Sequence, residues 1–196
     1  MIKKSKKTVK TPTIDELKRE LERVKYNSKY RRVLKSTVFT LVVVAALAVL
    51  VATIWLPVLR IYGTSMVPTL DEGEIVISIK GAKFEAGDLV CFYLGNKLLV
   101  KRFIAGPGQW VDIDEEGNVY VDGKLLDEPY IAQKSLGDCN IELPYQVPDS
   151  RYFVLGDQRA TSIDSRNTVV GCIAEEQMVG KIVFRVWPFS KFGKIK

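Results

Sequence analysis

Between Ser36 and Leu59 the chain runs for 24 residues without a charged side chain, most of them Val, Leu or Ala. As a helix this run would be about 36 Å long at ~1.5 Å per residue, enough to cross a hydrocarbon core of roughly 30 Å with some tilt. A cleaved signal peptide is the competing reading, but its apolar region is typically ~7–15 residues. The run therefore predicts a transmembrane helix over 36–59, and the chain beyond it must fold while tethered to a lipid bilayer.

Charge sets the orientation. Residues 1–35 hold thirteen Lys and Arg against four Asp and Glu, whereas the whole chain is only +6, so everything after the tail is net acidic. By the positive-inside rule the tail stays cytoplasmic and residues 60–196 lie outside the cell membrane, in a single-pass arrangement. The basic balance belongs to this topogenic tail and argues for no nucleic-acid partner.

Within the tail, residues 1–12 are Lys-rich and poor in apolar side chains, a composition that predicts disorder. Thr13-Ile14-Asp15-Glu16 has the form of a capping box, and Ile14, Leu17, Leu21 and Val24 follow at helical spacing. A short amphipathic cytoplasmic helix ending near Asn27 is expected; two heptads are too few for a coiled coil. Beyond the anchor the texture changes to short β-like runs separated by Gly, Pro and Asp. Residues 74–79, 89–92, 98–104, 110–113, 119–121, 152–155 and 181–186 read as strands, with Gly117-Asn118 and Asp122-Gly123 as tight turns. The fold class is mainly β: a β-rich catalytic domain over 60–196 preceded by one transmembrane helix.

The chain contains no histidine, which excludes a Ser-His-Asp hydrolase and leaves lysine as the base for any serine nucleophile. Ser65 lies in Gly63-Thr64-Ser65-Met66-Val67-Pro68, close behind the anchor. Lys101 lies in Leu98-Leu99-Val100-Lys101-Arg102-Phe103-Ile104, where strand alternation puts it on the same face as Leu99 and Phe103. An amine with apolar neighbours loses solvation in its charged form, which is how a lysine becomes a base near neutrality. Taken alone, a snorkelling strand lysine and a turn serine are the plainer alternatives. A third segment, Gly156 to Arg166, packs hydroxyls, carboxylates and two arginines behind a strand, where Asp-Arg pairs could hold a rigid loop around a lysine. Cys91, Cys139 and Cys172 leave at least one thiol unpaired, with Cys139–Cys172 the one bridge considered. They show no metal-ligand spacing, so neither a metal nor any other cofactor is expected.

In order and spacing these segments resemble the type I signal peptidases, membrane-anchored serine proteases that remove signal peptides from exported proteins. Gly63 to Thr69 is similar to the family's nucleophile segment, Gly87-Asp88-Leu89-Val90 to its next strand, Lys101 to Gly108 to its lysine segment, and Gly156 to Arg166 to its Gly-Asp-x-Arg…Ser-x-Asp-Ser-Arg segment. The resemblance implies Ser65 as nucleophile, Lys101 as general base and Ser162 orienting the amine. Asp164, Arg166 and Arg159 would hold the loop, and the Ser65 N–H would bind the oxyanion. It also implies a groove for extended preprotein, selective for small residues in an Ala-x-Ala pattern before the cut, with Ile61, Met66, Leu70, Val76 and Val100 as candidate walls. Gln158 stands where the family often has Asn, Ala174 where a Pro commonly follows the Gly171 region, and Gly63 where some members carry a second oxyanion donor. The single anchor and short domain look like the compact Gram-positive members. A noncatalytic or dedicated assembly factor for a few surface proteins is the alternative. A Ser-Lys self-cleaving repressor would need a DNA-reading helical domain that the tail does not supply.

Overall fold

The computed structural model describes residues 12–195. The segment read as disordered therefore lies, but for Pro12, outside the described residues. One helix, α1, covers Ile14–Trp55. Its start shows the Glu16 half of the expected capping box, the carboxylate accepting a hydrogen bond from the Thr13 N–H (2.9 Å). Two expectations are corrected. No helix ends near Asn27: from 14 to 55 the chain has neither Pro nor Gly to break it, so the basic turns join the amphipathic and apolar stretches into 42 continuous residues. The apolar helix does not reach Leu59 either but ends at Trp55, because Pro57 disfavours helical backbone at Leu56 and the chain turns extended.

Among the described residues twelve strands come after α1: β1 (Val58–Arg60), β2 (Ile75–Ile79), β3 (Leu89–Leu94), β4 (Lys97–Ala105), β5 (Trp110–Ile113), β6 (Val119–Val121), β7 (Lys124–Leu125), β8 (Tyr145–Gln146), β9 (Arg151–Leu155), β10 (Ile173–Ala174), β11 (Met178–Trp187) and β12 (Gly193–Lys194). The seven predicted strands are all present, most of them a residue or more longer than expected. The larger sheet has the order β1-β2-β11-β3-β4-β9-β10, with β12 also on β11, and the smaller has β7-β6-β5-β8. All pairings are antiparallel. The Asp122-Gly123 turn between β6 and β7 has positive φ at both residues (51° and 74°), the twist that a two-residue hairpin requires.

The hairpin of β3 and β4 lies at the centre of the larger sheet and carries two cations into the interior. Val90 pairs with Lys101 and Leu89 with Arg102, while Arg102 also pairs with Leu155 of β9. From Lys101 to Ala105 every residue of β4 is buried, so both faces of this strand are covered and its two cations are largely withdrawn from bulk water. On one side lies a core of Ile61, Met66, Leu70, Val76, Leu89, Cys91 and Ile182. A second core, with Phe103 and Val154, and a third, with Ile104, Phe153 and Val111, fill the remaining space around β4 and β9 and against the smaller sheet. Cys91, Cys139 and Cys172 are all free thiols, so the considered bridge is not formed.

Candidate active site

Ser65 sits half-buried in a turn between β1 and β2. The turn is closed by Val67 N–H to Thr64 O (3.1 Å) and Leu70 N–H to Met66 O (2.8 Å). It is docked to the loop after β9 by Gln158 N–H, which donates to Ser65 O at 3.0 Å. The Ser65 amide itself has no acceptor among the described residues, which leaves it able to donate to a ligand.

Lys101 is 4% exposed, and its Nζ donates to Ser162 Oγ at 2.8 Å. Burial holds the ammonium below the ordinary lysine range; Asp164 and Asp157 pull in the opposite direction, and Arg166 adds to the lowering. Among the described residues no hydrogen bond joins Ser65 Oγ to Lys101, although both line one cavity of about 810 Å³. Catalytic hydrogen bonds are often long before substrate binds.

The approach of the three elements depends on Gly156. A Cβ there would lie 2.1 Å from Ser162 Oγ and 2.8 Å from Ser65 O, closer than any side chain tolerates. The glycine is what lets the serine turn, the lysine strand and the Ser162 loop converge.

Three buried guanidiniums frame this point, each paired with a carboxylate. Arg166 makes a bidentate pair with Asp164 (Nε to Oδ1 and Nη2 to Oδ2, both 2.8 Å), and Asp164 Oδ2 also accepts the Gly156 N–H (2.9 Å). Arg159 pairs with Glu128, not with a partner inside its own loop. Asp157 likewise reaches out of the loop, to Arg102 Nε (2.8 Å) and Nη2 (2.6 Å). Thr69 at the end of the serine turn also donates to Asp157 (2.5 Å). Only Asp164–Arg166 is the internal Asp-Arg pair the sequence suggested. The pairings of Arg102, Asp157, Thr69, Glu128 and Tyr130 carried no local signal, because these residues join partners tens of residues away. Removing one member of such a pair leaves a buried uncompensated charge, typically costing ~3–5 kcal/mol.

The cavity walls include Ile61, Met66 and Val100 together with Leu59, Leu98 and Ile163. Leu70 and Val76 depart from the expectation: both are fully buried in the core behind Ile61 and Met66 and do not line the cavity. An apolar trough with one half-buried hydroxyl, one buried amine and an unengaged amide can hold an extended chain and open one of its acyl bonds.

Residues 34–187 match the family described as "Signal peptidase, peptidase S26". Signal peptidase IB of Staphylococcus aureus (strain COL) is 39% identical over 153 residues, covering 67% of this chain and 78% of its own. Signal peptidase I of Bacillus amyloliquefaciens is 34% identical over 169 residues, covering 80% and 86%. A crystal structure of a signal peptidase I from Enterococcus faecalis V583 aligns with a TM-score of 0.42 and 26% identity, over 51% of this chain and 97% of that one.

Proposed function

The chain belongs to the signal peptidase, peptidase S26, family, and within it we propose that Ser65 is the nucleophile and Lys101 its general base. The enzyme is a serine hydrolase that removes signal peptides from preproteins. The observation that carries the residue assignment is the buried Lys101 amine, hydrogen-bonded to Ser162 and opening on the cavity that Ser65 lines.

In the proposed reaction neutral Lys101 takes the Ser65 Oγ proton as the oxygen attacks the carbonyl carbon of the scissile bond. The resulting oxyanion is held by the Ser65 N–H, a kind of donor worth ~3–4 kcal/mol in the transition state. The lysine ammonium then gives its proton to the departing amine, leaving an ester on Ser65. Neutral again, Lys101 takes a proton from water as the water oxygen attacks the ester, and returns it to Ser65 Oγ as the new carboxyl end leaves. Ser162, by accepting one N–H of the amine, aims it. Asp164, Arg166 and Arg159 hold the loop that carries Ser162. Ile61, Met66 and Val100 would meet small side chains before the cut.

The test is cleavage of a preprotein whose signal ends in Ala-x-Ala, scored by the new N-terminus, with Ser65→Ala and Lys101→Ala alongside. Cleavage after the last Ala that disappears in both variants is the expected result. Turnover retained by either variant overturns the assignment.

The same reading puts α1 across the cell membrane, with residues 12–35 cytoplasmic and the β domain outside; the apolar helix supports it. Trp187 (47% exposed) and Phe189 (74%) stack edge to face at 5.0 Å and would dip into the outer leaflet.

A further inference from the structure

We propose that Glu128 and Tyr130, in the segment between β7 and β8, are positioning residues that hold the lysine strand and the Ser162 loop together. The proposal rests on the assignment of Ser65 and Lys101. Neither Glu128 nor Tyr130 belongs to the segments that carry the resemblance, and neither lines the cavity around Ser65. Glu128 is nevertheless buried, and its carboxylate accepts from both terminal nitrogens of Arg159, Nη1 to Oε2 at 3.1 Å and Nη2 to Oε1. The Tyr130 hydroxyl donates to the same Oε1 at 3.0 Å. Arg159 passes the constraint on, since its Nε donates to Gly156 O at 3.0 Å, and Gly156 is the residue packed directly on Ser162 Oγ and Ser65 O.

Tyr130 acts on the other partner as well. The Arg102 Cζ lies 3.7 Å from the centre of the Tyr130 ring, and Arg102 follows Lys101 on β4. With that face covered, the guanidinium is held in plane to reach Asp157, Gly87 O (2.6 Å) and Thr69 Oγ1 (3.1 Å). Burial, and secondarily the Glu128 charge, push the Tyr130 hydroxyl well above the usual tyrosine range, so it remains a donor to Glu128 across the working pH. One short segment thus grips Arg159 by charge and Arg102 by its ring. The loop that carries Ser162 and the strand that carries Lys101 are set against each other from outside the site.

The experiment is a kinetic cycle on the full-length protein in detergent, using the Ala-x-Ala preprotein, with melting followed for every variant. Glu128→Gln should lower kcat about tenfold and leave KM within about twofold, since misplacement by an ångström or less suffices for such losses. In a Ser162→Ala background the same change should cost no more than about threefold, because one of the two groups Gly156 packs on is gone. A folded Glu128→Gln enzyme with wild-type kcat, or the full loss persisting in Ser162→Ala, overturns the proposal. Should Glu128→Gln fail to fold, Tyr130→Phe decides: it keeps the ring on Arg102 and deletes only the hydroxyl, so kcat should fall about threefold. An unchanged kcat there is equally fatal. Cleavage surviving in Ser65→Ala would strike the underlying assignment instead, whereas an inactive Ser65→Ala with unaffected Glu128 and Tyr130 variants removes the clamp alone.

Discussion

Burial holds the Lys101 ammonium below the ordinary lysine range, and this has one effect on rate and another on stability. On the proposed assignment the active form is the neutral amine, so kcat/KM should rise with pH through the lowered lysine titration and then level off. For stability, the unfolded chain keeps its lysine protonated up to the ordinary range while the folded chain does not. Between the two values the unfolded state binds the extra proton, and stability therefore rises with pH across that window. Lys101→Met should abolish cleavage yet resist urea better than wild type near neutral pH, with the gap closing as the ordinary lysine range is approached; urea midpoints across pH check this. Gly156→Ala is a second test at this scale. Its Cβ cannot coexist with Ser162 Oγ at 2.1 Å, so kcat should fall about 100-fold, with roughly 1–3 kcal/mol of overpacking cost in denaturant titrations.

Elements are legible where periodicity or turn chemistry marks them, and obscure where pairing alone makes them. Residues 110–113 and 119–121 stand out by alternation, and Asp122-Gly123 announces its own hairpin. β1 is hidden because Val58 and Leu59 look, by hydropathy, like more of the anchor; Pro57 is the available clue. β8, β10 and β12 are two residues long and have no period to read. The expected end near Asn27 follows the first apolar stripe, which stops after Val24, although stripe and helix are different things: Tyr26 to Lys35 continue the helical backbone with no Pro or Gly to end it. In the site, Ser65, Lys101 and Ser162 lie in recognisable segments, whereas the Arg159–Glu128 contact spans 31 residues and Arg102–Asp157 spans 55, and only folding joins them. The orientation proposed for α1 is open to thiol labelling with the three native cysteines replaced. A cysteine at Ser28 should react with an impermeant maleimide only from the cytoplasmic face, and one at Asp149 only from outside. The reverse pattern would reject the assignment.

At the scale of the whole molecule, two sheets and three buried charge pairs surround one strand, and the exposed aromatic pair Trp187 and Phe189 lies at the end of β11. Protein lacking residues 1–57 should float with liposomes, and Trp187→Ala/Phe189→Ala should stay at the bottom of the gradient; no flotation of the parent would reject the contact. Only Leu56 and Pro57 separate Trp55 from β1, and Ser65 comes ten residues after Trp55, so even a fully stretched chain, at ~3.3–3.6 Å per residue, places the hydroxyl within roughly 36 Å of the helix end. On the proposed orientation enzyme and substrate are then two occupants of one surface. Their encounter rate would scale with density per area, not concentration per volume, and the leash would act as a ruler, selecting peptide bonds by their height above the lipid as much as by their side chains.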